Sequence, residues 1–378
     1  MERDQASKFI NDLLKLMVSR NGSDLFITAD FPPAIKVDGK ITKVSPQPLT
    51  PAHTLALARS IMSDKQAAEF ERTKEANFAI SPAGVGRFRV NAFIQQGHVG
   101  LVLRVIPLTL PTIDGLGLPQ ILKDIAMTKR GLCILVGATG SGKSTSLAAM
   151  VDWRNEHSHG HIVTIEDPVE FVHAHKNCVV TQREVGLDTD SWDVALKNSL
   201  RQAPDVILMG EIRDRETMEN AIVFAETGHL CLATLHANSA NQAMDRIINF
   251  FPEERRAQLL MDISLNLRAI MSQRLVTRQD GKGRVAAIEI LINTPRVADL
   301  IFKGEVAEIK EAMKLSRNQG MQTFDQALFD LFEANVISYE DALRNADSLN
   351  DLRLQIKLHS NRARTKDLAA GTEHLSVI

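Results

Sequence analysis

Residues that would staple this chain, thread it through a membrane or coat it with one sign of charge are scarce. Cysteine occurs only at Cys133, Cys178 and Cys231, widely spaced and odd in number. No disulfide framework fits that count, and no CxxC pair exists. The first and last lie inside apolar runs, so all three read as small buried thiols in a reducing compartment. Tyrosine occurs once, and 44 Lys plus Arg face 46 Asp plus Glu, a formal net charge of −2. That balance gives no whole-chain basic footprint for nucleic acid. No apolar run approaches the ~18 residues that cross a bilayer. The opening Met1-Glu-Arg-Asp-Gln leads into no signal-type segment. Tandem repeats and low-complexity tracts are absent. What is present is an ordinary globular composition, 44% apolar and 24% charged, which is enough to bury proper cores. At ~100–200 residues per domain, 378 residues predict two or three domains of a soluble, cytosolic protein.

Residues 1–106 read as an α+β domain. Phe9, Ile10, Leu13, Leu14 and Met17 recur at helical spacing, and Gly22 follows as a C-cap. Short strands are expected at 24–28 and 34–37, one amphipathic helix over 52–70, and strands near 78–80, 86–94 and 99–106. Segment 107–119 holds three prolines and two glycines and little periodicity, so it reads as a linker or hinge. From residue 120 to 360 the pattern changes. Apolar strands at 132–136, 161–165, 206–209 and 230–234 alternate with helical segments, which predicts a parallel sheet covered on both faces. After Phe251-Pro252 mostly helix is expected, apart from a strand at 285–292. Residues 361–378 read as a flexible polar tail.

The chemistry starts at Gly137-Ala-Thr139-Gly140-Ser141-Gly142-Lys143-Ser144-Thr145, which satisfies G-x-x-x-x-G-K-[ST]. A strand feeds the loop and a helix leaves it. Backbone N–H groups of such a loop, with the positive end of the helix, converge on phosphate oxygens. Lys143 is placed for the β- and γ-phosphates and Ser144 for Mg²⁺. ATP binding is therefore expected. Hydrolysis needs a carboxylate at a strand end, and two are available. Val206-Ile-Leu-Met209 ends in Gly210-Glu211, where Glu211 can hold the Mg²⁺ shell through water. The run 162–165 ends in Glu166-Asp167-Pro168, where Glu166 can orient or deprotonate the attacking water. Either acid can be the general base. The segment from Gly228-His229 to His236 and Ser239 puts one histidine before a strand and one after it, where a neutral imidazole can sense the γ-phosphate or simply cap the strand. His157, His159, His161, His173 and His175 cluster in sequence, but without zinc-like spacing or an obvious carboxylate ligand.

These boxes, together with 164–171, 200–211 and Asn21-Gly22-Ser23-Asp24-Leu25, resemble in order those of the secretion-type hexameric ATPases, specifically the type IV pilus retraction ATPases of the PilT/PilU group. The likeness spans about residues 5–345. It implies a smaller α+β PAS-like domain followed by a RecA-like P-loop domain, and a homo-hexamer with nucleotide between domains. Arginines of the N-terminal domain then reach the phosphates, and here Arg89 and Arg104 hold the matching positions. The stretch 297–305 and the extension with Arg353, Lys357, Arg362, Arg364 and Lys366 depart from the principal motors toward the PilU-like paralogues. The resemblance thus implies an ATP- and Mg²⁺-dependent motor for pilus retraction and twitching motility, or an accessory subunit with weak ATPase that co-assembles with a PilT-like motor. It also implies a platform-protein partner, a cytoplasmic location peripheral to the inner membrane, and no nucleic-acid substrate.

Overall fold

The computed structural model describes residues 2–37, 39–107 and 109–362 and resolves them into two compact units. The first runs to Thr109 and takes in Glu170–Val172, and the second holds the remainder. Residues 363–378, with Arg364 and Lys366, lie outside the described residues.

The first unit strings α1 (Arg3–Ser19), β1 (Asp24–Ile27), β2 (Ala34–Val37), β3 (Lys40–Lys43), α2 (Pro51–Ile61), α3 (Asp64–Thr73), β4 (Glu75–Ile80), β5 (Arg87–Gln95) and β6 (His98–Ile106). Its sheet has the order β3-β2-β1-β6-β5-β4, with every pairing antiparallel. Helical spacing in α1 buries Ile10, Leu13, Leu14 and Met17. On β5 the two-residue period buries Phe88, Val90 and Ala92, which turns Arg89 and Asn91 to the opposite face. The single helix expected over 52–70 is two helices. Met62 is extended, and Ser63 opens α3 with a reciprocal capping box to Gln66. That Ser-x-x-Gln pair ends one helix and begins another inside an unbroken apolar pattern.

The second unit contains α4 (Ile121–Ala126), β7 (Gly131–Val136), α5 (Lys143–His157), β8 (His161–Glu166), β9 (Val179–Glu184), α6 (Trp192–Ser199), β10 (Val206–Met209), α7 (Arg215–Glu226), β11 (Leu230–Leu235), α8 (Ala240–Asn249) and α9 (Glu253–Asn266). There follow β12 (Leu267–Thr277), β13 (Arg284–Ile292), α10 (Pro295–Lys303), α11 (Ile309–Leu315), α12 (Phe324–Glu333), α13 (Tyr339–Asn345) and α14 (Leu349–His359). The sheet order is β13-β12-β7-β11-β10-β8-β9. Every neighbour pair is parallel except the β12–β13 hairpin. Strand β7 shows why two faces are covered. Leu132, Ile134 and Val136 enter a core with α7 and α8, while Cys133 and Leu135 enter another with α5. A separate apolar cluster joins Val276 and Val285 to Phe324, Leu328 and Phe332 of α12 and to Leu352 of α14.

Three expectations change here. Residues 267–277 form a strand where mostly helix was expected, because pairing with β7 on one side and β13 on the other overrides local helix propensity. The segment 107–119 is not free linker throughout, since Ile113 and Leu118 are buried in the core shared with α5. The start of the tail is anchored as well. Arg362 donates to the Phe332 and Ile337 carbonyls at 2.6 and 3.1 Å.

Candidate nucleotide site

Parallel pairing puts the carboxyl ends of β7, β11, β10 and β8 on one edge of the sheet, in that spatial order. That edge carries ligands in open α/β sheets. Val136 at the end of β7 hands the chain to the loop 137–142, and α5 begins at Lys143. The loop closes so tightly that two positions admit only glycine. A Cβ on Gly137 would lie 2.4 Å from Ser141 Oγ, and one on Gly142, at φ +87°, 2.8 Å from Gln273 Nε2. The loop tip, Ala138, Thr139 and Gly140, is exposed, whereas Ser141 and Lys143 are buried. Lys143 Nζ donates to the Gly137 and Ala138 carbonyls at 2.8 and 3.0 Å, folded into the loop it serves. Ser144 and Thr145 are half-buried in the first turn of α5, where its backbone N–H groups face the loop.

His236 follows β11, one strand from β7, and its Nε2 lies 3.3 Å from Glu211 Oε1 at the end of β10. Arg213 ties this pair to the next strand end, with Nε 3.0 Å from Glu211 Oε2 and Nη1 3.4 Å from Asp167 Oδ2. Glu166 closes β8 and accepts from Thr164 Oγ1 at 2.7 Å and Gln182 Nε2 at 3.3 Å. Lys143, His236, Glu211 and Glu166 therefore share one edge. His229 does not join them. It precedes β11, at the opposite end of a strand about 20 Å long at ~3.3 Å per residue. There its backbone carbonyl accepts from Gly131 N–H, and its Nδ1 contacts the Phe224 carbonyl and Thr227 Oγ1. Within this chain His229 therefore stands at the amino end of the sheet, apart from the edge that carries Lys143, His236, Glu211 and Glu166.

Mg²⁺ keeps much of its hydration and takes one or two protein ligands beside phosphate oxygens. The Ser144 hydroxyl and the Glu211 carboxylate fit that donor set. Among the described residues no group of three or more His, Cys, Asp or Glu is arranged for a metal. Three of the sequence-clustered histidines, His157, His161 and His175, make other contacts, with His175 Nδ1 accepting from Val180 N–H at 3.1 Å. His157 stacks on Trp153, and His161 bonds the Gln202 carbonyl and Thr181 Oγ1. Burial pushes His173 down to about 4.

In the first unit, Arg89 and Arg104 are direct cross-strand partners, and Asp24 pairs with Arg104 from the other side. Arg104 Nε lies 2.7 Å from the buried Asp24 carboxylate, while its own side chain is 64% exposed. An acid fixes the stem of the guanidinium and leaves the rest of the fork for another anion.

Sequence reasoning passed over Gln273. Its Oε1 accepts from Ser146 Oγ at 2.7 Å, and its Nε2 donates to the Ser141 carbonyl at 2.8 Å, with the side chain 2% exposed. It braces the phosphate loop from the side opposite β11. The only signal was a Ser-Gln-Arg polar step within the apolar run 267–277, which carries no motif.

A glycine-closed phosphate loop, a strand-end carboxylate and a histidine touching it, on a mainly parallel sheet, define the RecA-like P-loop ATPases. The family model described as type II/IV secretion system protein matches residues 2–344, and the chain belongs to that family, among the PilT/PilU-type pilus ATPases. It is 60% identical to the type IV pilus ATPase PilU of Pseudomonas aeruginosa, over 97% of this chain and 95% of that one. Identity to PilT of the same organism, a type IV pilus retraction ATPase, is 44% over 89% and 98% of the two chains. A crystal structure of the pilus retraction motor PilT with bound ADP superposes with a TM-score of 0.86 at 40% identity, covering 91% of this chain and 99% of that one.

Proposed function

We propose that the chain works as a homo-hexameric ring at the cytoplasmic face of the inner membrane, where it hydrolyses ATP to drive retraction of a type IV pilus through a platform protein. The observation that carries this reading is the shared sheet edge, where the Lys143 loop, His236 and Glu211 stand on neighbouring strands. Loop N–H groups and Lys143 bind the β- and γ-phosphates, and Ser144 and Glu211 hold Mg²⁺, which neutralises charge on the transferring phosphoryl group. Glu166 orients the attacking water, and His236 reads the γ-phosphate and reports to Glu211. Arg89 and Arg104 supply positive charge to nucleotide held by a neighbouring subunit, and the connection beginning at Pro107 is the hinge between units. Family membership supports the motor reading. Among the described residues no helix is long and apolar enough to cross a membrane.

Replacing Lys143 with Ala removes the phosphate contact without touching either core. The expected outcome is loss of ATP turnover by at least about 100-fold with an unchanged circular-dichroism spectrum. Turnover at the wild-type rate would refute the site. The higher identity to PilU than to PilT favours a second reading, an accessory ATPase that co-assembles with a PilT-like motor. Turnover measured alone and with that partner separates the two.

A further inference from the structure

The loop from β11 into α8 begins at His236, and the β12–β13 hairpin grips it on both sides of Ser239. Arg274 Nη2 donates to the Asn238 carbonyl at 3.1 Å, and Glu289 Oε1 accepts from Ala240 N–H at 2.7 Å. Arg246 of α8 holds the His236 carbonyl itself at 2.9 Å. In the hairpin register Arg274 faces Ala287 and Ser272 faces Glu289, so Arg274 and Glu289 project from one face and Gln273 from the other. One strand thus braces the phosphate loop with Gln273 and the histidine loop with the next residue.

Arg274 also reaches away from the loop. Its Nη1 donates to the Asn345 carbonyl at 2.8 Å, and its Nη2 lies 2.7 Å from Asp347 Oδ1. The guanidinium carbon sits 3.9 Å from the Phe324 ring centroid. These partners lie at the start of α12, the end of α13 and the turn before α14. Asp347 is itself fixed, by Lys310 at 2.6 Å and by its backbone N–H to the Asp325 carboxylate at 2.8 Å. A rigid five-donor fork suits this task, because it satisfies several acceptors in one geometry where an ammonium cannot.

We propose that Arg274, with Glu289 across the loop, is a positioning residue that sets His236 against Glu211 and ties its position to the α12–α14 bundle. The proposal rests on the reading of this edge as the ATPase centre. The loop pairs with no strand, so these bonds, with Gln242 Oε1 accepting from Asn238 N–H at 3.1 Å and Ser239 capping α8, hold its backbone in place. A displacement of His236 moves the Asn238 carbonyl, and with it the guanidinium that holds Asn345 and Asp347. The same bonds act in reverse, so a load on the bundle shifts the 3.3 Å His236–Glu211 contact.

The test is a double-mutant cycle on the full-length chain, with ATP turnover and binding of a fluorescent ADP analogue measured for Arg274→Ala, His236→Ala and the pair. Arg274→Ala is expected to lower kcat about tenfold while ADP affinity stays within about twofold, a loss confined to the turnover step. The double variant is expected to be no slower than His236→Ala alone, because both substitutions remove one interaction. Arg274→Lys keeps a cation for Asp347 and is expected to melt at the wild-type temperature yet keep a lowered kcat. A wild-type kcat in Arg274→Ala, or losses that multiply in the double variant, would overturn the proposal. Lys143→Ala run alongside keeps the two ideas apart: activity in that variant defeats the ATPase site itself, whereas its inactivity with an unaffected Arg274→Ala defeats only the clamp.

Discussion

Glu289 is the residue where burial and function pull against each other. The residue is 2% exposed, and burial pushes its carboxyl up to about 7, opposed by the Ala240 N–H, Lys310 and Arg274 and reinforced by Asp347. An unfolded glutamate loses its proton near pH 4.5, so between there and about pH 7 the native state binds the extra proton. Stability therefore falls as pH rises through that window, and the full penalty stands above it. Glu289→Gln keeps an acceptor for Ala240 and carries no charge to desolvate. Urea unfolding should show the variant more stable than wild type at pH 8, on the order of 3 kcal/mol at most, and the two converging near pH 4. A gap that does not depend on pH would mean the carboxyl titrates normally. The neighbouring Asp347 goes the other way: burial raises it, but Lys310 and Arg274 outweigh that and hold it below the usual carboxylate range.

Among the elements, β12 departs most from expectation, and it is also the one that braces the phosphate loop. Strands such as β7 and β10 were legible because an apolar run ended in a recognisable box, and β5 because Phe88 and Val90 alternate with polar neighbours. The loop residues 137–145 were legible for the same reason, since only glycine fits where the backbone must approach phosphate. Strand β12 has no such mark. Leu-Arg-Ala-Ile-Met favours a helix locally and becomes a strand through partners far along the chain. With its identity hidden, Gln273 and Arg274 could not be placed. The place of His229 was hidden for a related reason, because sequence shows that a histidine flanks a strand but not at which end of the sheet it stands. The brace is testable by itself. Gln273→Leu fills the same volume but strands Ser146 Oγ and the Ser141 carbonyl, so nucleotide affinity should drop about tenfold, one or two lost hydrogen bonds' worth. Unchanged affinity by titration calorimetry would make the contact incidental.

For the whole molecule, division of labour between two units is the issue. The row Asp24–Arg104–Arg89 is built into the first unit's sheet, while every phosphate-side group named above belongs to the second. If the arginines serve a neighbour, mixing two dead proteins should restore some activity. Lys143→Ala rings and Arg104→Ala rings are each expected to be inactive. After unfolding and co-refolding at equal ratio, about one site in four combines an intact lysine with an intact arginine, and turnover should recover toward that share. Mixtures as silent as their parents would mean that each arginine serves its own chain.

The scarcity of cysteine has a use at this scale too. Cys133 and Cys231 sit fully buried on adjacent central strands of the second unit, and burial pushes the Cys133 thiol up to about 12. Cys178 is buried at the start of the edge strand β9, beside the Arg154 and Ser158 carbonyls. A thiol reagent can reach these sulfurs only when the surrounding structure opens. The protein therefore carries its own three-point clock. Alkylation of Cys178 times the fraying of the sheet's rim, alkylation of Cys133 and Cys231 times the breach of its centre, and the interval between them measures how much more firmly the middle of the sheet is held than its margin.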